Sequence, residues 1–167
     1  SLGPETVRPT TAAMEETIAR AGATVRRGSG DPYNGKKVFQ AACASCHRLF
    51  AAGGSVGPDL TPFRRDDLDA LLLAIVNPGA EIREGYENML VEMRDERSLS
   101  GFIVRQDDRV VVLKGLDAQE AVLPRSEILE LRPAGMSLMP EGLLEGLEDQ
   151  ALRDLFAYLR SSQPLAN

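Results

Sequence analysis

The spacing of apolar residues predicts two amphipathic helices that lie far apart in the sequence. The first begins at Asp31 and Pro32, an N-cap residue followed by proline at the first helical position. Apolar or small residues then recur at helical spacing at Gly35, Val38, Phe39, Ala42 and Cys46. In the second helix the repeat is Leu152, Leu155, Phe156 and Leu159, with Tyr158 beside it. Because a glycine on a buried face lets another helix approach closely, we expect the two helices to cross at Gly35.

Two further segments have helical periodicity. Arg65 to Val76 is predicted as a helix that stops at Asn77-Pro78-Gly79, and its apolar face holds Leu68, Leu71, Leu72 and Ile75. Residues 1–30 are expected to be an N-terminal extension or linker that follows an upstream domain. A short helix in the middle of this extension would place Met14, Ile18 and Ala21 on one face.

From Tyr86 to Leu131 the period changes from that of a helix to that of a strand. Met89, Val91 and Met93 alternate with neighbours that are polar except for Leu90. Further β-rich runs follow at residues 99–104, 109–113, 120–123 and 127–131, and short polar turns separate them. Five short strands predict a small antiparallel sheet or a closed barrel. We interpret Met89 and Met93 as core residues of this sheet.

Composition limits the classes of function. The chain has 167 residues, of which 43% are apolar and 26% charged, as is typical of soluble globular domains. Its net charge of -6 argues against nucleic acid and anionic membranes as partners, and favours a partner with a positive patch. No apolar run approaches the roughly 20 residues that span a bilayer. Because the chain starts at Ser1 without a signal region, we expect a processed form or a piece of a longer protein.

The candidate chemistry is concentrated in Cys43-Ala44-Ser45-Cys46-His47, which holds both cysteines and the single histidine of the chain. This CxxCH pattern is the attachment signature of a c-type haem, in which two thiols bind one porphyrin and the histidine binds the iron. A thioredoxin-like redox pair would need a βαβ setting that is not visible. A closed zinc site would need four ligands, which cysteine and histidine alone cannot supply here. A chance occurrence of the pattern is the remaining alternative.

The loop after this motif, Gly53 to Leu60, is suited to wrapping a flat cofactor. The second ring nitrogen of an iron-bound histidine usually donates to a carbonyl, and we expect that of Pro58 to accept from His47. The sixth iron position has no second histidine available, so a methionine thioether is the first candidate. We select Met139, which precedes Pro140 in a loop before the last helix, with Met136 as the runner-up. A lysine ligand or an open sixth position are the alternatives.

Several motifs together resemble a known family. GDPYNGKKVF, CASCHRL, VGPDLT, and a methionine-proline pair before a terminal helix resemble a class I cytochrome c. NPGAEI, GYE with a β-rich stretch, SLMPEGLL and DLFAYL make the chain most similar to the planctomycete-type haem-binding domain, from about Gly30 to Ser161. Two positions depart from that pattern. Glu148 and Asp149 stand where relatives open the last helix with threonine, and Asp95-Glu96 stands where an Asp-Gly turn is expected.

The resemblance implies a mainly α fold with a class I cytochrome c helical core and an inserted small antiparallel β-sheet or barrel lobe, α+β overall. Residues 31–84 and 132–163 would form the core, and residues 85–131 the β-rich insertion within the same domain. One haem c would be bound by Cys43 and Cys46, with His47 and Met139 as axial ligands. Pro58 would support His47, and Phe39, Leu60 and Pro140 would pack at the haem. A dehydrogenase-like domain often lies upstream in such proteins.

These inferences favour an electron carrier rather than an enzyme. Its partner would be a redox protein or a fused upstream dehydrogenase domain, and a homodimer could form through the β-rich lobe. Since haem is attached covalently outside the cytoplasm, we expect a periplasmic or otherwise exported protein. The alternatives are a haem-based gas sensor or peroxidase-like protein with an open distal site, and a protein-binding module that uses the β-rich lobe.

Overall fold

A computed structural model of the chain describes residues 8–166, and it corrects the expected fold class. The fold is not mainly α, because 31% of the described residues are helical and 21% lie in strands, including a five-stranded sheet. The five β-rich runs are each short, but together they make the fraction of residues in strands larger than a mainly α fold would have. The described chain divides into two compact units, Glu81–Met139 and a second one made of Pro9–Ala80 with the segment from Pro140 onward.

The unit that contains the CxxCH motif is built from four helices and one short hairpin. The helices are α1 (Ala12–Arg26), α2 (Pro32–Ala42), α3 (Leu68–Val76) and α4 (Asp149–Leu159), and the hairpin strands are β1 (Arg48–Leu49) and β2 (Ala52–Gly53). Side chains of Thr11, Asp31 and Asp67 cap the first three helices by accepting from backbone N–H groups. No side-chain cap is described at Glu148, which precedes α4.

Helix α3 begins later than the sequence predicts. The expected start was Arg65, but the Asp67 side chain accepts a hydrogen bond from the backbone of Ala70 at 3.0 Å and sets the first helical residue at Leu68. A capping aspartate at this position outweighs the apolar periodicity, which cannot by itself locate the first residue of a helix. The predicted stop after Val76 is confirmed.

Helices α2 and α4 cross closely at Gly35, as the sequence predicts. A Cβ atom on Gly35 would overlap the backbone carbonyl of Asp154 and would lie 2.9 Å from the Cβ of Tyr158. The ring of Phe39 then meets the ring of Tyr158 edge to face, with 5.4 Å between their centroids. The absence of a side chain on one residue therefore decides how near the two helices approach.

A buried carboxylate fastens the beginning of α2 to α4. Asp154 is 4% exposed, and its oxygens accept from the Asp31 backbone at 2.7 Å and from the side chains of Asn34 and Gln150 at 2.7 and 2.9 Å. Burial alone would raise the pKa of Asp154, but these three hydrogen bonds outweigh it and hold that pKa below its ordinary value. The carboxylate thus stays ionised and compensated inside the helix crossing.

Helix α1 lies within the segment expected to be an extension or linker, and it is packed. It contacts both α3 and α4, and Met14 and Ala21 are buried on the face that periodicity predicted. The Arg153 side chain of α4 donates to the Thr24 carbonyl at 2.8 Å. Residues 12–26 therefore contribute to the core of this unit.

The other unit contains one antiparallel sheet. Its strands are β3 (Met89–Met93), β4 (Ser98–Gln106), β5 (Val110–Lys114), β6 (Glu120–Pro124) and β7 (Ile128–Pro133), in the order β6-β5-β4-β3-β7. All five predicted strands are present, and β6 and β7 form the two edges, so a sheet is seen rather than a closed barrel. Met93 is 2% exposed and Met89 packs against the same cluster, which confirms both as core residues.

The β3–β4 turn forms without the glycine that its geometry favours. Glu96 has φ of 73°, in the left-handed region that costs an L-residue about 1–2 kcal/mol. The Asp95 carboxylate accepts from the Arg97 backbone at 3.1 Å and from its guanidinium at 2.9 Å. These contacts hold a tight hairpin in which Glu96 stands in for glycine.

Candidate functional site

The CxxCH segment begins where α2 ends. Cys43 is the C-cap residue, and its backbone N–H donates to the Phe39 carbonyl at 2.8 Å. The Cys43 carbonyl then accepts from the N–H groups of Cys46 at 3.1 Å and His47 at 2.9 Å. A tight turn therefore follows the helix directly and carries both thiols and the imidazole on five consecutive residues.

The two cysteines are free and half-buried. Burial first, and the neighbouring Cys46 second, raise the pKa of Cys43 to about 11. Reactive redox cysteines have a lowered pKa, because the thiolate is the nucleophile. The protonated Cys43 thiol therefore weakens the thioredoxin-like interpretation.

His47 has one ring nitrogen engaged by the protein. Its Nδ1 lies 2.8 Å from the carbonyl oxygen of Pro58. Since a carbonyl can only accept, Nδ1 carries a proton and donates, and in the neutral imidazole the lone pair is then on Nε2. This is the hydrogen-bonding state in which an imidazole can bind a metal ion through Nε2.

The loop that carries Pro58 is tied to the chain on both sides of His47. The Gly57 N–H donates to the Cys46 carbonyl at 2.7 Å, and the Leu60 N–H donates to the Arg48 carbonyl at 2.8 Å. A Cβ atom on Gly57 would lie only 2.7 Å from Cε1 of His47. Gly57 therefore lets the loop lie directly against the imidazole. Gly57 was not predicted as a site residue, although it lies in a loop that is rich in glycine.

Arg65, the predicted start of a helix, lies near the hairpin, a position that the sequence does not indicate. The side chain is buried, and its Nη1 donates to the carbonyls of Leu159 at 2.7 Å and Ser161 at 2.6 Å, at the end of α4. Its guanidinium lies 5.1 Å from the centroid of the Phe50 ring, within cation–π range. These partners are distant in sequence, so no local pattern indicates them.

The other predicted site residues have differing surroundings. Phe39 is buried, Leu60 is half-buried against the helical core, and Pro140 is exposed. Met139 is half-buried, and its N–H donates to the Ser137 hydroxyl at 3.2 Å. Met136 is 62% exposed.

The predicted residues belong to both units. Cys43, Cys46, His47 and Pro58 are brought together within the helical unit, and Met139 is the last residue of the β-rich unit. Among residues 8–166, no cluster of three or more histidine, cysteine or acidic side chains is arranged to hold a metal ion. Within the same range, no helix has the length and apolarity needed to cross a membrane.

Part of the chain, including the CxxCH motif, is similar to a known protein family. The cytochrome c family model matches residues 33–111. The matched range includes most of α2, the CxxCH motif, the Pro58 loop, α3 and the first strands of the sheet, and it ends before Met139. The match supports a cytochrome c family, and with it a haem-binding electron carrier of a kind that is generally not an enzyme. No curated protein matches the chain.

The residues present fit a covalently bound haem c. Two free thiols are separated by two residues, as attachment at two vinyl groups requires, and the next residue is a histidine. The hydrogen bond to Pro58 leaves Nε2 of His47 as the nitrogen with a lone pair for iron. The donor set and its hydrogen bonding thus suit the cofactor that the family implies.

Proposed function

We propose that this chain is a monohaem c-type cytochrome that transfers single electrons. Cys43 and Cys46 would hold the haem covalently, and His47 and Met139 would be its axial ligands. The observation that carries this proposal is the 2.8 Å hydrogen bond from Nδ1 of His47 to the Pro58 carbonyl, at a CxxCH motif inside a cytochrome c match. That bond orients the imidazole as an iron ligand requires. A CxxCH motif that occurred by chance would not require such a bond.

Each protein group has a definite task in this function. When bound, the haem supplies an iron that alternates between the ferric and ferrous states. His47 is held in one orientation by Pro58 and Gly57, so it does not have to reorient when the charge on the iron changes. A thioether from Met139 would favour the ferrous state and raise the reduction potential relative to a second histidine.

Met139 is preferred to Met136 because of its surroundings. A half-buried thioether in a loop ordered by the Ser137 hydroxyl is suited to a permanent ligand, whereas Met136 is 62% exposed. Phe39, Leu60 and Pro140 are proposed to pack near the haem, and residues 31–84 with 132–163 to form the cytochrome core.

The resemblance to the planctomycete-type domain supports the wider setting that we propose. In that setting the chain is a module of a larger dehydrogenase-like protein, is exported to the periplasm, and receives electrons from the fused domain or a separate redox protein. The net charge of -6 favours a partner surface with positive charge. Dimerisation through the β-rich unit stays a prediction.

A redox titration tests the proposed function. We expect a single reversible one-electron wave, and slow binding of carbon monoxide to the ferrous protein, because both axial positions are filled. Spectra recorded at each potential would follow the ferric-to-ferrous change. Rapid carbon monoxide binding in the untreated protein would instead indicate an open distal site and favour a gas sensor or a peroxidase-like protein.

A further inference from the structure

Two segments that flank His47 are joined by a threonine side chain. One is the β1–β2 hairpin, which directly follows His47, and the other is the loop that carries Pro58. Thr61 Oγ1 accepts from the Phe50 backbone N–H at 2.7 Å and lies 3.5 Å from the Phe50 carbonyl, to which it can donate. The Thr61 N–H in turn donates to the Asp59 carboxylate at 2.9 Å. The Thr61 hydroxyl, which belongs to the neighbouring loop, thus binds both backbone polar groups of Phe50 in the hairpin turn.

The residue that Thr61 holds has an unfavourable backbone conformation. Phe50 has φ of 59°, in the left-handed region that bulky L-residues rarely adopt. Such a conformation persists only where the surroundings impose it. Here the Thr61 hydroxyl binds the Phe50 backbone, and the buried Arg65 guanidinium lies over the Phe50 ring. Loss of either contact would release the hairpin turn from this conformation.

The hairpin and the loop together determine where the Pro58 carbonyl lies. Arg48 in β1 accepts from Leu60, two residues after Pro58, and Phe50 is bound by Thr61, three residues after Pro58. A change at the Phe50 turn therefore acts on a short segment whose other end, the Pro58 carbonyl, accepts the hydrogen bond from His47. We propose that Thr61 is a positioning residue whose hydroxyl sets the strength of the hydrogen bond from His47 to Pro58.

This proposal rests on the proposed haem-binding function and predicts the direction in which the reduction potential changes. A stronger hydrogen bond from Nδ1 makes the imidazole a more basic ligand, and a more basic ligand favours the ferric state. A weaker bond has the opposite effect. Removal of the Thr61 hydroxyl should therefore raise the reduction potential, although Thr61 itself is not an iron ligand.

The test compares Thr61→Val, which removes the hydroxyl but keeps the branched shape, with Thr61→Ser, which keeps the hydroxyl. In the haem-loaded protein we expect Thr61→Val to raise the midpoint potential and to speed solvent exchange of the His47 Nδ1 proton, followed by NMR. Thr61→Ser should restore the wild-type value of both. Thr17→Val is the matched control, since the Thr17 hydroxyl donates to the Ala13 carbonyl within α1.

The outcomes separate this proposal from the function on which it rests. A wild-type potential and exchange rate in Thr61→Val would overturn the positioning role, even if the variant were less stable. Equal changes in the valine and serine variants would also overturn it, because the hydroxyl would then not matter. If the wild-type protein carried no covalent haem, the proposed function would fail, and exchange of the Nδ1 proton in the haem-free variants would still decide whether Thr61 positions Pro58.

Discussion

Replacement of Met139 by alanine is expected to abolish completely the weak red absorption band by which ferric haem reports a bond to methionine sulfur. The same change should convert slow binding of carbon monoxide by the ferrous protein into rapid binding, because the sixth position would be vacant. Haem attachment should survive, since the thioether bonds and His47 lie elsewhere in the chain. Absorption spectra of both oxidation states and stopped-flow mixing with carbon monoxide measure these effects.

Met136→Ala is the control for this prediction. It is the same chemical change three residues earlier, at a side chain that is 62% exposed, and it should leave the band and the carbon monoxide kinetics unchanged. Loss of the band in Met136→Ala alone would transfer the ligand role to Met136. An unchanged band in both variants would contradict methionine ligation by either residue.

Gly35→Ala is expected to destabilise the helical unit by about 3 kcal/mol, in the upper part of the range for overpacked cores. In an ordinary helix interior the same change stabilises by about 0.5–1 kcal/mol, so the predicted effect has the opposite sign to helix propensity. The cause is overlap of the new methyl group with the Asp154 carbonyl, which is backbone and cannot turn aside. Urea unfolding followed by circular dichroism measures the change.

A matched glycine is available in the other unit. At Gly115 a new Cβ would meet only the Asp117 side chain at 3.2 Å and the Ser100 carbonyl at 4.0 Å, so Gly115→Ala should change stability much less. An unfolding free energy for Gly35→Ala at or above that of the wild type would refute the close crossing of α2 and α4. Because Cys43 immediately follows α2, the crossing also fixes the helix end from which the haem motif starts.

Features encoded by neighbouring residues were predictable. Asp31 and Pro32 signal a helix start by local backbone chemistry, and Gly35 on an apolar face signals a close crossing. The first strand follows from alternation and the other four from short β-rich runs bounded by polar turns, which are equally local signals. The hydrogen bond from His47 to Pro58 was expected from the chemistry of iron-bound imidazoles, and the structure contains it.

Features that depend on distant partners were not predictable. Arg65 beside Arg64 has the appearance of a surface pair, yet its guanidinium is buried at the end of α4, 94 residues away in sequence. No sequence pattern indicates that Thr61 binds Phe50. The left-handed backbone conformation of Phe50 is one that phenylalanine rarely adopts. The mainly α expectation was wrong because a resemblance to a helical core does not measure how much strand an insertion adds.

Covalent attachment of haem at Cys43 and Cys46 is tested by a pyridine haemochrome spectrum. The protein should be produced with a c-type maturation system and extracted with acidified organic solvent before the spectrum is recorded. We expect one haem per chain to stay with the polypeptide and to show the spectrum of a haem whose two vinyl groups have become thioethers. Complete extraction of the haem, or a chain that acquires none, would show that Cys43 and Cys46 do not bind haem covalently.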